Sequence, residues 1–309
     1  MSKEKIFVSA VVYVRNDESR ISGFLSMLAG VLEERFEHSE IICVNDFSSD
    51  GSLEKIKEFV KAGTAVSMTV VNMSYFHGLE LSMNAGVDLS IGDFVYEFDS
   101  VEMDYEPSKV VDLYYKTQEG FDIVSLSPDK GNGLFSRAFY RLFNDFSSYP
   151  QKISTESVRI LSRRTINRVS SMSKTIPYRK ALYASSGLRT ASIVYKRTGK
   201  GRKVDRGERR YRRKLAINSL ILFTNVGYSF SISMTLLMMC IAVSMLTYSI
   251  VVYLTQTPVE GWTTTILFLS FAFFGLFGVL TVIIKYLQII VDLIFKRKTY
   301  NFESIEKLT

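Results

Sequence analysis

The sequence predicts an α/β domain with a mostly parallel sheet, followed by basic interfacial helices and a two-helix transmembrane hairpin. Three observations predict it. From residue 6 to about 127, short apolar runs alternate with segments of helical period, as strands and helices do when layered on one sheet. Residues 215–259 and 261–284 contain no Asp, Glu, Lys or Arg, and a membrane-spanning helix needs roughly 20 apolar residues. Between these two regions, residues 196–214 carry eleven basic and two acidic side chains.

Residues 6–14 (IFVSAVVYV) are rich in β-branched residues and predict the first strand. Residues 18–36 have helical spacing, 41–44 form a short buried strand, and 52–61 are helical. A strand at 66–71, a helix at 79–89 and a strand at 93–98 follow. A helix near 108–116 leads into a strand at 122–126. The expected boundaries are a domain at 1–195, a basic juxtamembrane part at 196–229, the hairpin at 230–295 and a cytoplasmic tail at 296–309.

The hairpin is expected as spans at 230–254 and 264–291, with Trp262 anchoring the far interface. Their connection has no Lys or Arg, whereas both outer flanks are basic, so both termini belong on the cytoplasmic side. Lys285 and Asp292 are expected to snorkel towards headgroups. Residues 215–228 are apolar but broken by Asn218, Thr224, Asn225 and Gly227, which suits an interfacial helix. The chain's net charge of +7 is smaller than the excess held by residues 196–214 alone, so the rest is slightly acidic. A local basic block attracts anionic lipid, by about 1 kcal/mol per Lys or Arg. It argues against a nucleic-acid-binding surface. Gly275 and Gly278 suggest self-association through small residues. Cys43 and Cys240 lack ligand-spaced partners, so neither disulfide nor zinc is expected. The first residues lack the apolar stretch of a cleavable signal peptide.

Ligands of open α/β sheets bind beyond the C-terminal ends of the strands. Three such ends carry polar groups: Arg15-Asn16-Asp17-Glu18, Asn45 to Gly51, and Asp99 to Asp104. Asn16 and Asp50 also suit helix capping, and capping is the favoured role for Asp50. Asp46 is placed to accept from a base N–H or a ribose hydroxyl, and Asp99 to hold a cation bridging two phosphates. Together they suggest nucleotide-diphosphate binding. No phosphate-binding P-loop or GxGxxG is present, so neither a P-loop NTPase nor a typical dinucleotide binder is expected.

Several ordered motifs carry a family resemblance. Residues 8–18 (VSAVVYVRNDE) look like VSVVIPVYNEE, residues 44–52 (VNDFSSDGS) like VDDGSSDGS, and residues 92–99 (GDFVYEFD) like the entry into a DxD motif. Gly78 to Gly86 is similar to GKEAALLAG, residues 136–144 (SRAFYRLFN) to SRLFYRLLN, and residues 159–164 (RILSRR) to the end of FRLLSRR. Glu208 to Tyr211 takes the place of ESKY, and Lys285 to Leu287 falls in GEYLGRI. The chain thus resembles family 2 glycosyltransferases of the GT-A fold, specifically the polyprenyl-phosphate glycosyltransferases related to dolichol-phosphate mannose synthase and the bactoprenol glucosyltransferases, which implies a place in cell-envelope polysaccharide assembly. The resemblance implies a Rossmann-like nucleotide-sugar-binding domain and an inverting transfer of sugar to undecaprenyl phosphate at the cytoplasmic face of a bacterial plasma membrane. It implies nucleotide-sugar binding by Val14, Asn16, Asp17, Asp46, Gly78, Asp99 and Ser100. Asp99 and Arg159 would be catalytic, Asp99 would hold Mg²⁺ or Mn²⁺, and Arg159 with Arg210 would grip the acceptor phosphate, since a guanidinium matches phosphate bidentately. Arg210 suits a lipid-surface charge equally well, and Arg137 and Arg141 read as surface charges.

The sequence departs from the family pattern at three places. Val101 replaces the second acid of DxD, with Glu102 beside it and Asp104 on a later acid. Ser157, next to Glu156, replaces the acid of GDFRL, and Asn45 the first acid of DDGS. These changes leave open a catalytically degenerate homologue acting as a membrane scaffold in glycan assembly. A processive synthase would need a downstream QxxRW, and the single tryptophan is Trp262 in the connection.

Overall fold

The computed structural model describes residues 3–129, 133–147, 149, 151–172, 178–198, 206–224 and 302–307, with helical positions scattered through 226–290. The chain forms two compact units, residues 1–144, 149–216 and 297–309 in the first, and residues 145–148 and 217–296 in the second.

The first unit begins β1 (Glu4–Val14), α1 (Glu18–Arg35), β2 (Phe36–Asn45), α2 (Ser52–Lys61), β3 (Ser67–Met73), α3 (Leu79–Leu89) and β4 (Phe94–Phe98). It continues α4 (Ser108–Gln118), β5 (Ile123–Pro128), α5 (Leu134–Phe146), β6 (Val158–Ser162), α6 (Arg163–Met172), α7 (Arg179–Ser185) and β7 (Thr190–Tyr195). After α8 (Arg206–Phe223), the strand β8 (Phe302–Lys307) closes the order. Seven strands form a mixed sheet that β8 extends at one edge, in the order β7-β5-β6-β4-β1-β2-β3-β8.

The core follows from the apolar runs. Residues 8–14 of β1 are buried on both faces, as a central strand covered by helices requires. Val8, Ala10, Val12 and Val14 face the cluster built by α1, whose Ile21, Phe24, Leu25, Leu28 and Leu32 recur at helical spacing. Phe24 meets Phe98 edge-on at 5.4 Å. Val11 faces α3, where a Cβ added at Gly86 would stand 2.4 Å from Val11 Cγ1. Gly92, just before β4, allows a similar approach of backbone to backbone. A Cβ there would meet Ser9 N at 2.5 Å and Phe94 O at 2.9 Å. Gly92→Ala is therefore expected to cost about 1–3 kcal/mol by forcing β1 and β4 apart. A urea unfolding midpoint equal to wild type would contradict that.

Strands β1 to β4 are mutually parallel in the spatial order 3-2-1-4, so Val14, Asn45 and Asn72 lie in register at one edge and Phe98 pairs beside Val12. The chain reverses its winding between β1 and β4, which opens a crevice at their C-terminal ends. The rest of the sheet departs from the parallel expectation. Strand β6 lies antiparallel between β4 and β5, and β8 runs antiparallel to β3. Strand β2 starts at Phe36, five residues before the expected position. After the buried Phe36, residues 37–40 are polar and exposed or half-exposed, and they are held by backbone pairing with β1 rather than by burial. Residues 302–307, expected within a tail, are a sheet strand because β3 offers an unpaired edge.

The expected spans and their connection lie largely outside the described residues, as do Trp262, Lys285 and Asp292. Among the described residues no helix is long and apolar enough to cross a membrane. Within the second unit, a Cβ added at Gly275 would stand 2.7 Å from Met238, at Gly278 3.8 Å from Met234, and at Gly227 2.6 Å from Tyr286. These contacts run in opposite chain order, as in an antiparallel helical hairpin. Gly275 and Gly278 thus lie beside methionines of their own chain. Leu237, Leu269, Phe273, Leu276 and Leu287 are exposed.

Candidate active site

The C-terminal ends of β1, β2 and β3 are tied together by their own polar residues. Asn16 and Phe47 take left-handed backbone conformations, with φ of 51° and 54°, which cost non-glycine residues about 1–2 kcal/mol. Asn16 Oδ1 accepts from Ser49 N at 2.8 Å, and Asn16 N donates to Ser48 Oγ at 3.2 Å. Asp50 accepts from Glu18 N and Ser52 N, the first residues of α1 and α2, so it caps both helices.

Asp17 and Asp46, the expected nucleotide contacts, are both buried. Asp17 accepts from Arg15 N at 3.2 Å and pairs with the Arg20 guanidinium, while its own N–H donates to Ser52 Oγ. Asp46 accepts three hydrogen bonds of 2.8 Å, from Tyr13 OH, His77 N and Gly78 N. A carboxylate satisfied in this way is turned into the protein, where it fixes the turn from β3 into α3. Gly78 sits in that turn with φ +84°, and a Cβ there would stand 2.2 Å from the Tyr211 ring of α8. Val14 is buried, and its carbonyl accepts from Asp46 N at 3.0 Å. Arg15 stacks over Phe76 at 4.0 Å and donates to the Asp46 carbonyl at 2.7 Å.

The end of β4 is different. Antiparallel pairing sets Arg159 of β6 opposite Glu97 of β4. Its guanidinium then reaches Glu97 Oε2 at 2.7 Å, Asp99 Oδ2 at 2.8 Å and Glu156 Oε2 at 3.2 Å. Arg179, at the start of α7, meets two of these carboxylates from another side, together with Glu80. It reaches Asp99 Oδ1 at 2.9 Å, Glu97 Oε1 at 2.8 Å and Glu80 Oε2 at 3.0 Å. Tyr183 OH donates to Glu97 Oε1 at 2.7 Å. Both arginines are about 1% exposed, whereas the Asp99 side chain keeps an edge at 14%. Burial alone would raise the Asp99 pKa. The charges of Arg159 and Arg179 outweigh it and hold the carboxyl at about 2. Ser100 follows, half-buried, its hydroxyl 3.4 Å from Glu102 N.

Lys180 adds a further positive charge. Its Nζ contacts are long, 3.2 Å to the Ser154 carbonyl and 3.4 Å to Tyr140 OH. Burial would lower its pKa, but Tyr140 and Glu156 raise it, so it stays protonated. Arg210 lies exposed on α8 and joins none of these groups.

The structure thus brings Asp99 and Arg159 together, but it turns Arg159 towards carboxylates rather than towards an incoming phosphate. Sequence reasoning missed Glu97, Glu80, Arg179, Lys180 and Tyr183. One signal was available: Glu97 interrupts the apolar run FVYEF, and a charge in a buried strand requires a partner.

The donor set does not fit the divalent cation expected at Asp99. Both Asp99 oxygens face guanidinium groups. Val101 lies inside the apolar core, and Asp104 is engaged by Tyr195 OH at 2.7 Å and Arg197 Nε at 3.0 Å. Among the described residues, no three His, Cys, Asp or Glu side chains are grouped to hold a metal ion. Mg²⁺ and Mn²⁺ favour several oxygen ligands.

Comparison with known proteins follows the same geometry. A glycosyltransferase of Synechocystis sp. described as uncharacterized is 25% identical over 198 residues, 62% of this chain and 61% of that protein. The undecaprenyl-phosphate 4-deoxy-4-formamido-L-arabinose transferase of Edwardsiella ictaluri is 29% identical over 140 residues, 45% of this chain and 42% of its own length. The chain therefore spans about three fifths of the first of these relatives and less than half of the second. Among solved structures, the mannosyltransferase PcManGT of Pyrobaculum calidifontis, in complex with GDP-Man and Mn²⁺, shares the fold. Its TM-score is 0.52 and its identity 12%, with 95% of this chain and 88% of that one covered. The sequence profile of "Glycosyl transferase family 2" matches residues 9–171, just over half of the chain. On that match, seated on the strands that build the Asp99 cluster, the chain belongs to glycosyl transferase family 2.

Proposed function

We propose that this chain is a membrane-anchored inverting glycosyltransferase that moves a sugar from a nucleotide-diphosphate sugar to undecaprenyl phosphate or a similar polyprenyl phosphate. The observation that carries the reading is the ionised, half-buried Asp99 at the point where the sheet reverses its winding, fixed from behind by two buried guanidinium groups. An ionised carboxylate only accepts hydrogen bonds, so its natural partners are the hydroxyl groups of a ribose or a sugar. Arg159 positions Asp99 instead of gripping the acceptor. Arg210 remains the acceptor-phosphate candidate, among the exposed basic side chains of α8 that would also meet anionic lipid.

The chemistry needs little from the protein beyond alignment and charge. A monoalkyl phosphate has a second pKa of about 6, so at neutral pH the acceptor is already a nucleophile. One of its oxygens attacks the anomeric carbon. The bond from that carbon to the diphosphate oxygen breaks, and the electron pair leaves with the nucleoside diphosphate. The new bond forms on the opposite face, which inverts configuration, and no proton has to move. The rate is therefore expected to fall as pH drops through about 6 with the acceptor phosphate. Asp99 adds no limb there, because its carboxyl protonates only near 2. A pH–rate profile falling near 4 instead would contradict this.

Three observations support the membrane setting and the cytoplasmic face. The second unit exposes large apolar side chains, which water-soluble surfaces rarely gather in one patch. The contacts of Gly227, Gly275 and Gly278 run as in an antiparallel pair. The pairing of β8 with β3 requires the chain to return to the side of its N-terminal domain, as two crossings would do. Basic flanks then favour the cytoplasm.

A second reading, a scaffold without turnover, is favoured by the burial of Val101 where the family resemblance implies an acid. Release of nucleoside diphosphate from a panel of sugar nucleotides separates the two. The transferase releases it only when polyprenyl phosphate is added, and the scaffold releases none.

A further inference from the structure

Resting on the reading that this site binds a nucleotide diphosphate, we propose that transfer proceeds without a resident divalent cation, and that Lys180 supplies the positive charge facing the departing diphosphate. A divalent cation would need several free oxygen ligands. Asp99 keeps an exposed edge at the β4 end, and each of its oxygens lies within 2.9 Å of a guanidinium nitrogen. A divalent ion there would stand against two fixed positive charges. Glu97 is sealed between Arg159, Arg179 and Tyr183. Position 101 offers an apolar side chain, and Asp104 is taken by Tyr195 and Arg197. Glu97, Arg159 and Arg179 thus form a closed cluster, in which cationic side chains occupy the space that a metal would require.

The diphosphate still needs a counter-charge. Arg159 and Arg179 are sealed behind Asp99 and matched by Glu80, Glu97 and Glu156. Lys180 follows Arg179 on α7, lies near enough to lower the Asp99 pKa, and is half-buried. Its long contacts to Ser154 and Tyr140 join no carboxylate, so the ammonium can turn to a phosphate oxygen at little cost. As the bond from the anomeric carbon to the diphosphate oxygen breaks, that oxygen gains negative charge. Lys180 answers it by hydrogen bonding, with no proton transferred.

The test uses the full chain in detergent and two measurements. Titration calorimetry with UDP and GDP, each with Mn²⁺ or with EDTA, is expected to give affinities within about twofold. Lys180→Ala weakens binding tenfold or more, and Lys180→Arg restores most of it. A tenfold loss on chelation, or an unaffected Lys180→Ala, overturns the proposal. Electron paramagnetic resonance with Mn²⁺ alone is expected to show no stoichiometric bound ion. A bound signal that disappears in Asp99→Asn overturns the metal-free site even if neither nucleotide binds. Absence of nucleotide binding in every condition, with no bound Mn²⁺, refutes the nucleotide-diphosphate reading and the Lys180 role together, and leaves the metal-free donor set standing.

Discussion

Arg159→Met is expected to lower the unfolding free energy by about 3–5 kcal/mol, because it strands buried carboxylates without their counter-charge. Arg159 is 1% exposed and serves Glu97, Asp99 and Glu156 at once. Methionine has comparable length and packs well, so the loss reads electrostatics rather than a cavity. Arg159→Lys keeps the charge but offers a point in place of a planar fork, and an intermediate loss is expected. Urea unfolding followed by circular dichroism measures both. A loss below about 1 kcal/mol for Arg159→Met would mean that the cluster contributes no more than a surface pair.

The same cluster has a pH signature. A carboxyl held near 2 in the fold, below an unfolded value of about 3.9, stabilises the protein above about pH 4. That contribution is lost as pH falls through about 2. The stability difference between wild type and Asp99→Asn is therefore expected to be flat from pH 5 to 8 and to shrink in acid.

Asp99→Asn is expected to reduce sugar transfer by a factor of about 100 to 1,000, the scale for removing one preorganised electrostatic group. The side chain keeps its size. However, its amide N–H₂ group now faces Arg159 or Arg179, where a carboxylate oxygen stood. The carboxylate's charge and one of its two acceptors are lost at the exposed edge, so donor orientation suffers. Folding is less affected than in Arg159→Met, since both arginines retain Glu97. A variant with more than a tenth of wild-type turnover would remove Asp99 from the chemistry.

The α/β core was legible because its strands are continuous apolar runs and its helices carry clear stripes. The helices α2 and α3 begin and end where the pattern places them. Strand β2 was read short, since residues 37–40 are polar and owe their pairing to backbone hydrogen bonds. Strands β6 and β8 were invisible for a related reason: strand pairing joins residues far apart in sequence, and their pairing direction depends on the sheet edge they meet. At the site, Asp99 and Arg159 could be picked from motifs, but their mutual contact could not. It depends on the β4–β6 register, and the Arg179 contact depends on where α7 docks. The intramolecular partners of Asp17 and Asp46 could not be read either, because a strand-end carboxylate looks the same in sequence whether it faces a ligand or the N–H groups of its own turn.

The most direct test of the account is mass analysis of undecaprenyl phosphate after incubation with the full-length protein and a panel of nucleotide sugars at pH 7.5. The account predicts a lipid heavier by one glycosyl unit, of inverted anomeric configuration, formed by wild type in EDTA and lost in Asp99→Asn. Unchanged lipid with every donor, from folded protein, would contradict it.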